Sequence, residues 1–264
     1  MPSILFVLTS AEKTLTGTPT VGFFAPYIGP LKLNCYLPRI SLGMVYLSSL
    51  DRGLHLTRCA MRYLPEAAHP YYILAPHATI DFASPAGANP PIEPTSITLF
   101  ASDAECTKFL ADEEVQRKLA SAKKLSEVSS KDYDAIFYVG GHGPPIDLAV
   151  DPINIKLASE ACVLCVEPGN SFLTANQFFQ AGKITSAVCH GSAALVGATD
   201  AEGKSIFAGR RATGFTNAEE IQIDKVKDVP FLLEDKLKSL GAKFEKADEL
   251  WGSKSTNKLM HVAD

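Results

Sequence analysis

The chain predicts an α/β fold, a three-layer sandwich with a central, mainly parallel sheet, in a single domain spanning residues 1–264. Three observations predict it. Short β-branched and aromatic runs alternate with stretches that carry apolar residues at helical spacing. The strand-like runs are apolar almost throughout, as strands covered on both faces must be. Two of them end in small-residue turns bearing a histidine or a thiol, and such sheets carry their reactive groups beyond the carboxyl ends of their strands.

The elements follow in order. "ILFVL" (4–8) reads as a buried first strand, and "MPSILFVLTSAEK" lacks the basic leader and long apolar core of a signal peptide. The apolar stretch from Val21 to Leu50 is broken by Lys32, Arg39 and several prolines. It falls short of the ~20 uninterrupted apolar residues that a spanning helix needs. "ATIDFAS" (78–84) is the second strand, and the proline-rich "PPIEPTS" (90–96) predicts an extended loop. "DAECTKFLADEEVQRKLASAKKLSEV" (103–128) is charged, with apolar residues at helical spacing. "DAIFYVG" (134–140) and "ITSAV" (184–188) are further strands. "VPFLLEDKLKSLGAKFEKA" (229–247) predicts a helix ended by Gly241, then a short strand. No internal repeat is visible.

Composition excludes some classes. The net charge is −4, with no long run of either sign and no basic patch interleaved with aromatics. This argues against nucleic acid or an anionic membrane as partner. The six cysteines read as free thiols, since a chain of this size has no need of a disulfide framework. Cys162 and Cys165 in "CVLC" have the spacing of half a zinc or redox motif, but no second CxxC or HxxxH pair completes it, so no metal is expected. A cytoplasmic location is the expectation, with the nucleus left open.

The stretch "ITSAVCHGSAAL" (184–195) places Cys189 and His190 side by side where a strand gives way to a helix. Packing is one explanation, because cysteine is often a small buried hydrophobe. Chemistry is the other, because a thiol at a helix N-terminus is expected to have a lowered pKa. "DAIFYVGGHGPPIDLA" supplies a second unusual strand end, with Gly140, Gly141, His142 and Gly143. Glycines there let backbone amides approach a ligand. Two such turns at neighbouring strand ends favour the catalytic reading of Cys189.

Taken together, "YDAIFYVGGHGPPIDLA", "GKITSAVCHG", "GRRATGFTNAEE" and "YLPEAAHPYYILAPHATIDFASPAGANPP" resemble the ThiJ/PfpI superfamily. Its fold is class I glutamine amidotransferase-like, of the flavodoxin-like kind. The likeness is strongest to its heat-shock-chaperone-related branch, known as glyoxalase III or D-lactate dehydratase. It covers Met1 to about Thr20, Tyr63 to about Glu160 and Phe178 to about Lys254. The resemblance implies Cys189 as nucleophile, His190 as the adjacent triad histidine and Glu220 as the carboxylate orienting it, with Glu219 the alternative by one position. It implies Glu66 as the carboxyl beside the sulfur, and Gly141 and His190 as backbone donors of an oxyanion hole. His69 and His142 are left as hydrogen-bonded pocket or turn residues. The implied reaction turns methylglyoxal and water into D-lactate with no metal, nicotinamide or glutathione. The implied partners are a small 2-oxoaldehyde substrate and a second copy of the chain.

The chemistry these residues would perform agrees with those roles. A thiolate adds to an aldehyde, and the resulting oxyanion needs preorganised donors. A glutamate in a partly desolvated pocket can move a proton through an enediol-like intermediate. Acyl chemistry on the same thiol, as a peptidase or amidase, is the rival enzymatic reading, and it leaves Glu66 unexplained. A holding chaperone or a cysteine redox sensor is the rival of another class, and a catalytically impaired gene product is the third.

The chain departs from the family pattern in three places. Residues 21–62 intervene between "GTPT" and "YLPEAAHP", and residues 161–177 interrupt what reads as one helix. Four of the six cysteines, Cys35, Cys59, Cys162 and Cys165, lie in these insertions. The ending "STNKLMHVAD" replaces an expected strand and closing helix. The sequence reading treats both insertions as translated introns and the ending as a missed splice, and it expects the first insertion to disturb Glu66.

Overall fold

The computed structural model describes residues 1–17, 64–92, 94–159 and 183–256. The two insertions and residues 257–264 lie outside the described residues, and with them Cys35, Cys59, Cys162 and Cys165. The described elements are β1 (Ser3–Val7), α1 (Leu64–Leu74), β2 (Thr79–Ser84), α2 (Pro94–Leu99), α3 (Ala104–Ala111), α4 (Glu113–Ala120) and β3 (Lys123–Lys124). They continue with β4 (Ala135–Tyr138), α5 (Pro152–Ala158), β5 (Ile184–Ala187), β6 (Arg211–Ala212), α6 (Asn217–Gln222), α7 (Leu233–Ser239) and β7 (Lys243–Phe244).

Among the described residues the main sheet has five strands in the order β3-β2-β1-β4-β5, and each of these pairings is parallel. β1 is central, with Ser3–Val7 registered on Thr79–Ala83 of β2 and Ile4–Val7 on Ala135–Tyr138 of β4. The chain builds outward to one side of β1 and then returns to lay β4 on the other. That reversal opens a crevice at the carboxyl ends of β1 and β4, where ligands bind in sheets of this kind.

Side chains alternate across the sheet. Leu5, Val7, Ile136 and Tyr138 point into a core with Leu148, Leu157, Ala193, Ala194, Leu233 and Leu237. Ile4, Phe6, Leu8, Phe137 and Val139 point the other way, against Leu64, Ala67, Tyr71, Phe82 and Phe109. Both faces are therefore apolar, which explains why the strands read as unbroken hydrophobic runs. Burying Phe6 removes one of the largest side chains from water, and it packs against the rings of Phe82 and Phe137 at 5.9 and 4.9 Å.

The structure corrects two local expectations. The stretch 103–128 is not one helix: it splits at Asp112, whose side chain accepts from Glu114 N and Val115 N and so caps α4. Lys123–Lys124 then leave helix altogether and pair as the edge strand β3. "PPIEPTS" is not wholly extended, because Pro94 opens α2, a first-turn position where its missing N–H costs nothing. Among the described residues no helix is long and apolar enough to cross a membrane.

Two buried polar ties set the frame around the carboxyl end of the sheet. Asn154 of α5 accepts from the Tyr138 hydroxyl and donates to the carbonyls of Leu148 and Ala194, so it joins α5, β4 and the segment after Cys189. On the other face, His69 of α1 meets both carboxylate oxygens of Asp103, the cap of α3, at 3.1 Å. This fixes α1, the helix that carries Glu66.

Candidate active site

The chain leaves β5 through an extended Val188, turns sharply at Cys189, and continues as a 3-10 helix to Leu195. Cys189 has φ +54°, in the left-handed region that non-glycine residues seldom occupy. Strain of that sort concentrates at functional sites. The turn points the thiol into the crevice end of the sheet and leaves His190 buried beside it.

Glu66 approaches from α1 and is almost fully buried. Gly140, just past β4, makes room for it. A Cβ on Gly140 would collide with Glu66 Oε2, stand 2.6 Å from the Val188 carbonyl oxygen and 2.8 Å from Cys189 Cβ. Next in the chain, Gly141 has φ +101°, a conformation that leaves its peptide free to turn toward the thiol side.

His190 lies between the sulfur and α6. Its Nδ1 is 3.6 Å from Cys189 Sγ, and its Nε2 is 2.7 Å from Glu220 Oε2. The other carboxylate oxygen, Oε1, is 2.9 Å from His142 Nε2. The neighbouring Glu219 is engaged otherwise: Thr216 N–H and hydroxyl donate to its Oε2, and Trp251 N–H donates to its Oε1. Of the two adjacent glutamates, Glu220 is the one that meets His190. The Phe215 ring covers His190 at 4.3 Å between centroids, and Trp251 packs behind Phe215 at 5.7 Å.

The electrostatics follow from burial and these contacts. Loss of water pushes the Cys189 thiol well up, and the charge of Glu66 pushes it the same way, while the His190 backbone N–H pulls it down. This corrects the expectation that a helix N-terminus lowers the thiol's pKa: the start of a short 3-10 helix is outweighed by desolvation and a facing carboxyl. Burial lowers His190, against the raising effect of Glu220, so the neutral ring is favoured. Burial alone would raise Glu220, but His190 and His142 outweigh it and hold the carboxyl well below its usual range.

Sequence reasoning set His142 aside, and the structure places it on Glu220. The signal available was a histidine among glycines at the strand end next to the thiol's. His69 is where it was expected, as a hydrogen-bonded residue, on Asp103. Two groupings among the described residues have metal-binding donors close together: His142, His190 and Glu220, and His69, Asp103 and Cys106. In the first, each Glu220 oxygen already meets one imidazole nitrogen. In the second, Asp103 already holds the Cys106 N–H at 2.8 Å and His69 at 3.1 Å.

No protein-family model matches the chain. It is 28% identical over 189 residues to a Saccharomyces cerevisiae protein named glutathione-independent glyoxalase HSP31, covering 69% of this chain and 73% of that one. A Schizosaccharomyces pombe protein named glutathione-independent glyoxalase hsp3102 is 29% identical over 132 residues, 49% of this chain and 47% of that one. The structure of the Francisella tularensis Rapid Encystment Protein 24 kDa is similar, with a TM-score of 0.67, 27% identity, and coverage of 98% of this chain and 89% of that one. The structure of glyoxalase III from Candida albicans matches with a TM-score of 0.67 at 19% identity, over 97% and 87% of the two chains, a likeness of fold.

Proposed function

We propose that the protein is a glutathione-independent glyoxalase, which converts methylglyoxal and water to D-lactate. The observation that carries this reading is the carboxyl of Glu66 set against the Cys189 thiol across the space left by Gly140. Acyl transfer at a thiol has no use for a second carboxyl at the sulfur. Isomerising a 2-oxoaldehyde does, because a proton must leave one carbon and return to its neighbour.

The proposed steps use Cys189, Glu66, His190 and Glu220. Cys189 gives up its proton toward Glu66 or His190 Nδ1 and adds to the aldehyde carbon of methylglyoxal, forming a hemithioacetal. Backbone N–H groups at Gly141 and His190 receive the oxyanion. Glu66 takes the proton from the hemithioacetal carbon to give an enediol, and protonation at the adjacent carbon leaves a lactoyl thioester. Water, deprotonated by His190, then hydrolyses the thioester, releasing lactate and restoring the thiol. The redox change is internal to the substrate, so the balance needs water alone. Glu220 keeps His190 in the tautomer that leaves Nδ1 facing the sulfur.

The test is D-lactate formation from methylglyoxal by the full chain without glutathione, beside Cys189→Ala. The wild type is expected to turn over, and the variant to lose at least about a thousandfold. Equal rates in the two, or no product from a folded wild type, would overturn the reading.

A further inference from the structure

His142 is fully buried, and its ring lies 4.5 Å from that of His190. The two rings meet the same carboxylate, His142 Nε2 at Oε1 and His190 Nε2 at Oε2. An ionised carboxylate only accepts hydrogen bonds, so both Nε2 atoms carry protons. For His190 the consequence is specific. With its proton on Nε2, the lone pair is on Nδ1, and Nδ1 is the nitrogen that faces Cys189 Sγ at 3.6 Å.

We infer that His142 is a positioning residue of the Cys189 site: by donating to the second oxygen of Glu220, it holds that carboxylate as a two-sided anionic clamp and so sets the tautomer and basicity of His190. Glu220 is buried, and a buried carboxylate oxygen without a donor is costly. Among the described residues, the side chains that meet Glu220 are these two imidazoles. With His142 gone, Oε1 loses its donor. The charge of Glu220 then falls on His190 alone, which favours imidazolium over the neutral ring that can accept the thiol proton.

The titratable groups around His190 come from several elements. They are Cys189 beside it, Glu66 from α1 across the sulfur, Glu219 and Glu220 from α6, and His142 from the turn after β4. Removing His142 leaves the three carboxylates and takes away a group that lowers His190, so the acid limb of activity moves to higher pH. The inference rests on the thiol chemistry proposed above and is indifferent to which aldehyde is the substrate.

The test compares full-length wild type with His142→Leu, which removes the donor, and His142→Gln, whose amide can donate from near the Nε2 position. Two readouts are taken: kcat and KM for methylglyoxal, and the His190 titration by long-range 1H–15N correlation of its imidazole. The Leu variant is expected to lose about tenfold or more in kcat with KM changed less than about threefold, a typical cost of removing an orienting hydrogen bond. Its His190 should titrate at higher pH, and the Gln variant should recover most of both. A Leu variant with unchanged kcat and His190 titration overturns the inference. So does a Gln variant as slow as Leu with the wild-type titration. Should the Leu variant not fold, the wild-type spectrum decides, because a His190 protonated on Nδ1 at neutral pH is incompatible with the clamp. A wild type inert toward methylglyoxal would defeat the glyoxalase reading while leaving the imidazole readout intact.

Discussion

An added Cβ at Gly140 would collide with Glu66 Oε2 and crowd Cys189 Cβ, so alanine there separates the two groups whose contact the proposed chemistry needs. Overpacking of this kind costs about 1–3 kcal/mol. Gly140→Ala should therefore lower the urea midpoint and cut turnover at least about tenfold, since small displacements of reacting groups are expensive. A variant with wild-type turnover would show that Glu66 acts from elsewhere. The titrating residues make a second prediction. His190 is held below its ordinary value of about 6.5 and Glu220 below about 4.3, so the folded protein binds fewer protons than the unfolded chain as pH falls. Stability should decline first below pH ~6.5 through His190, and further below ~4.3 through Glu220. Urea midpoints at several pH values should fall less steeply for His190→Gln than for wild type over the upper window. Parallel curves would count against a depressed His190.

Helix α6 is only six residues long, yet it carries Glu220. Its start is held by a reciprocal cap: the Thr216 side chain accepts from Glu219 N at 3.2 Å, and Glu219 Oε2 accepts from Thr216 N at 2.9 Å. Thr216→Ala should cost about 1 kcal/mol of stability. It should also lower kcat, because the cap fixes the helix that places Glu220, whereas Thr216→Ser should stay near wild type on both measures. If Ala and Ser behave alike, the cap does not position the site. Local signals of this sort were partly readable. Gly241 beyond α7 was read as a helix end, whereas the Thr-x-x-Glu cap that opens α6 was legible and went unread. Helix α1 was harder, since Pro70 lies inside it and its apolar positions are set by packing on the sheet and on α3. The break at Asp112 was missed because helical spacing continues through it, and only the cap geometry shows the chain turning there.

At the scale of the molecule, β1 feeds both cores and pairs with strands on either side. Truncating Phe6 at its centre should cost about 3–5 kcal/mol, much of the roughly 5–15 kcal/mol that holds a domain folded. Chemical denaturation of Phe6→Ala should show that loss, with far-UV circular dichroism and the emission of Trp251 changing together. A loss below about 1 kcal/mol would mean that the two cores are not joined through this strand.

The sequence by itself determined the α/β class and the inner strands β1 and β4, because strands buried on both faces must be apolar throughout; the lysine pair of edge strand β3 carried no such signal. It also determined the adjacency of thiol and imidazole, because Cys189 and His190 are joined by a peptide bond. The tertiary structure alone decided which distant groups surround them. Glu66, Gly140, His142 and Glu220 come together through the order and register of the sheet, and no local spacing encodes that. It decided the sign of the electrostatics too, since a helix terminus lowers a thiol's pKa only where desolvation and a facing carboxyl do not overrule it.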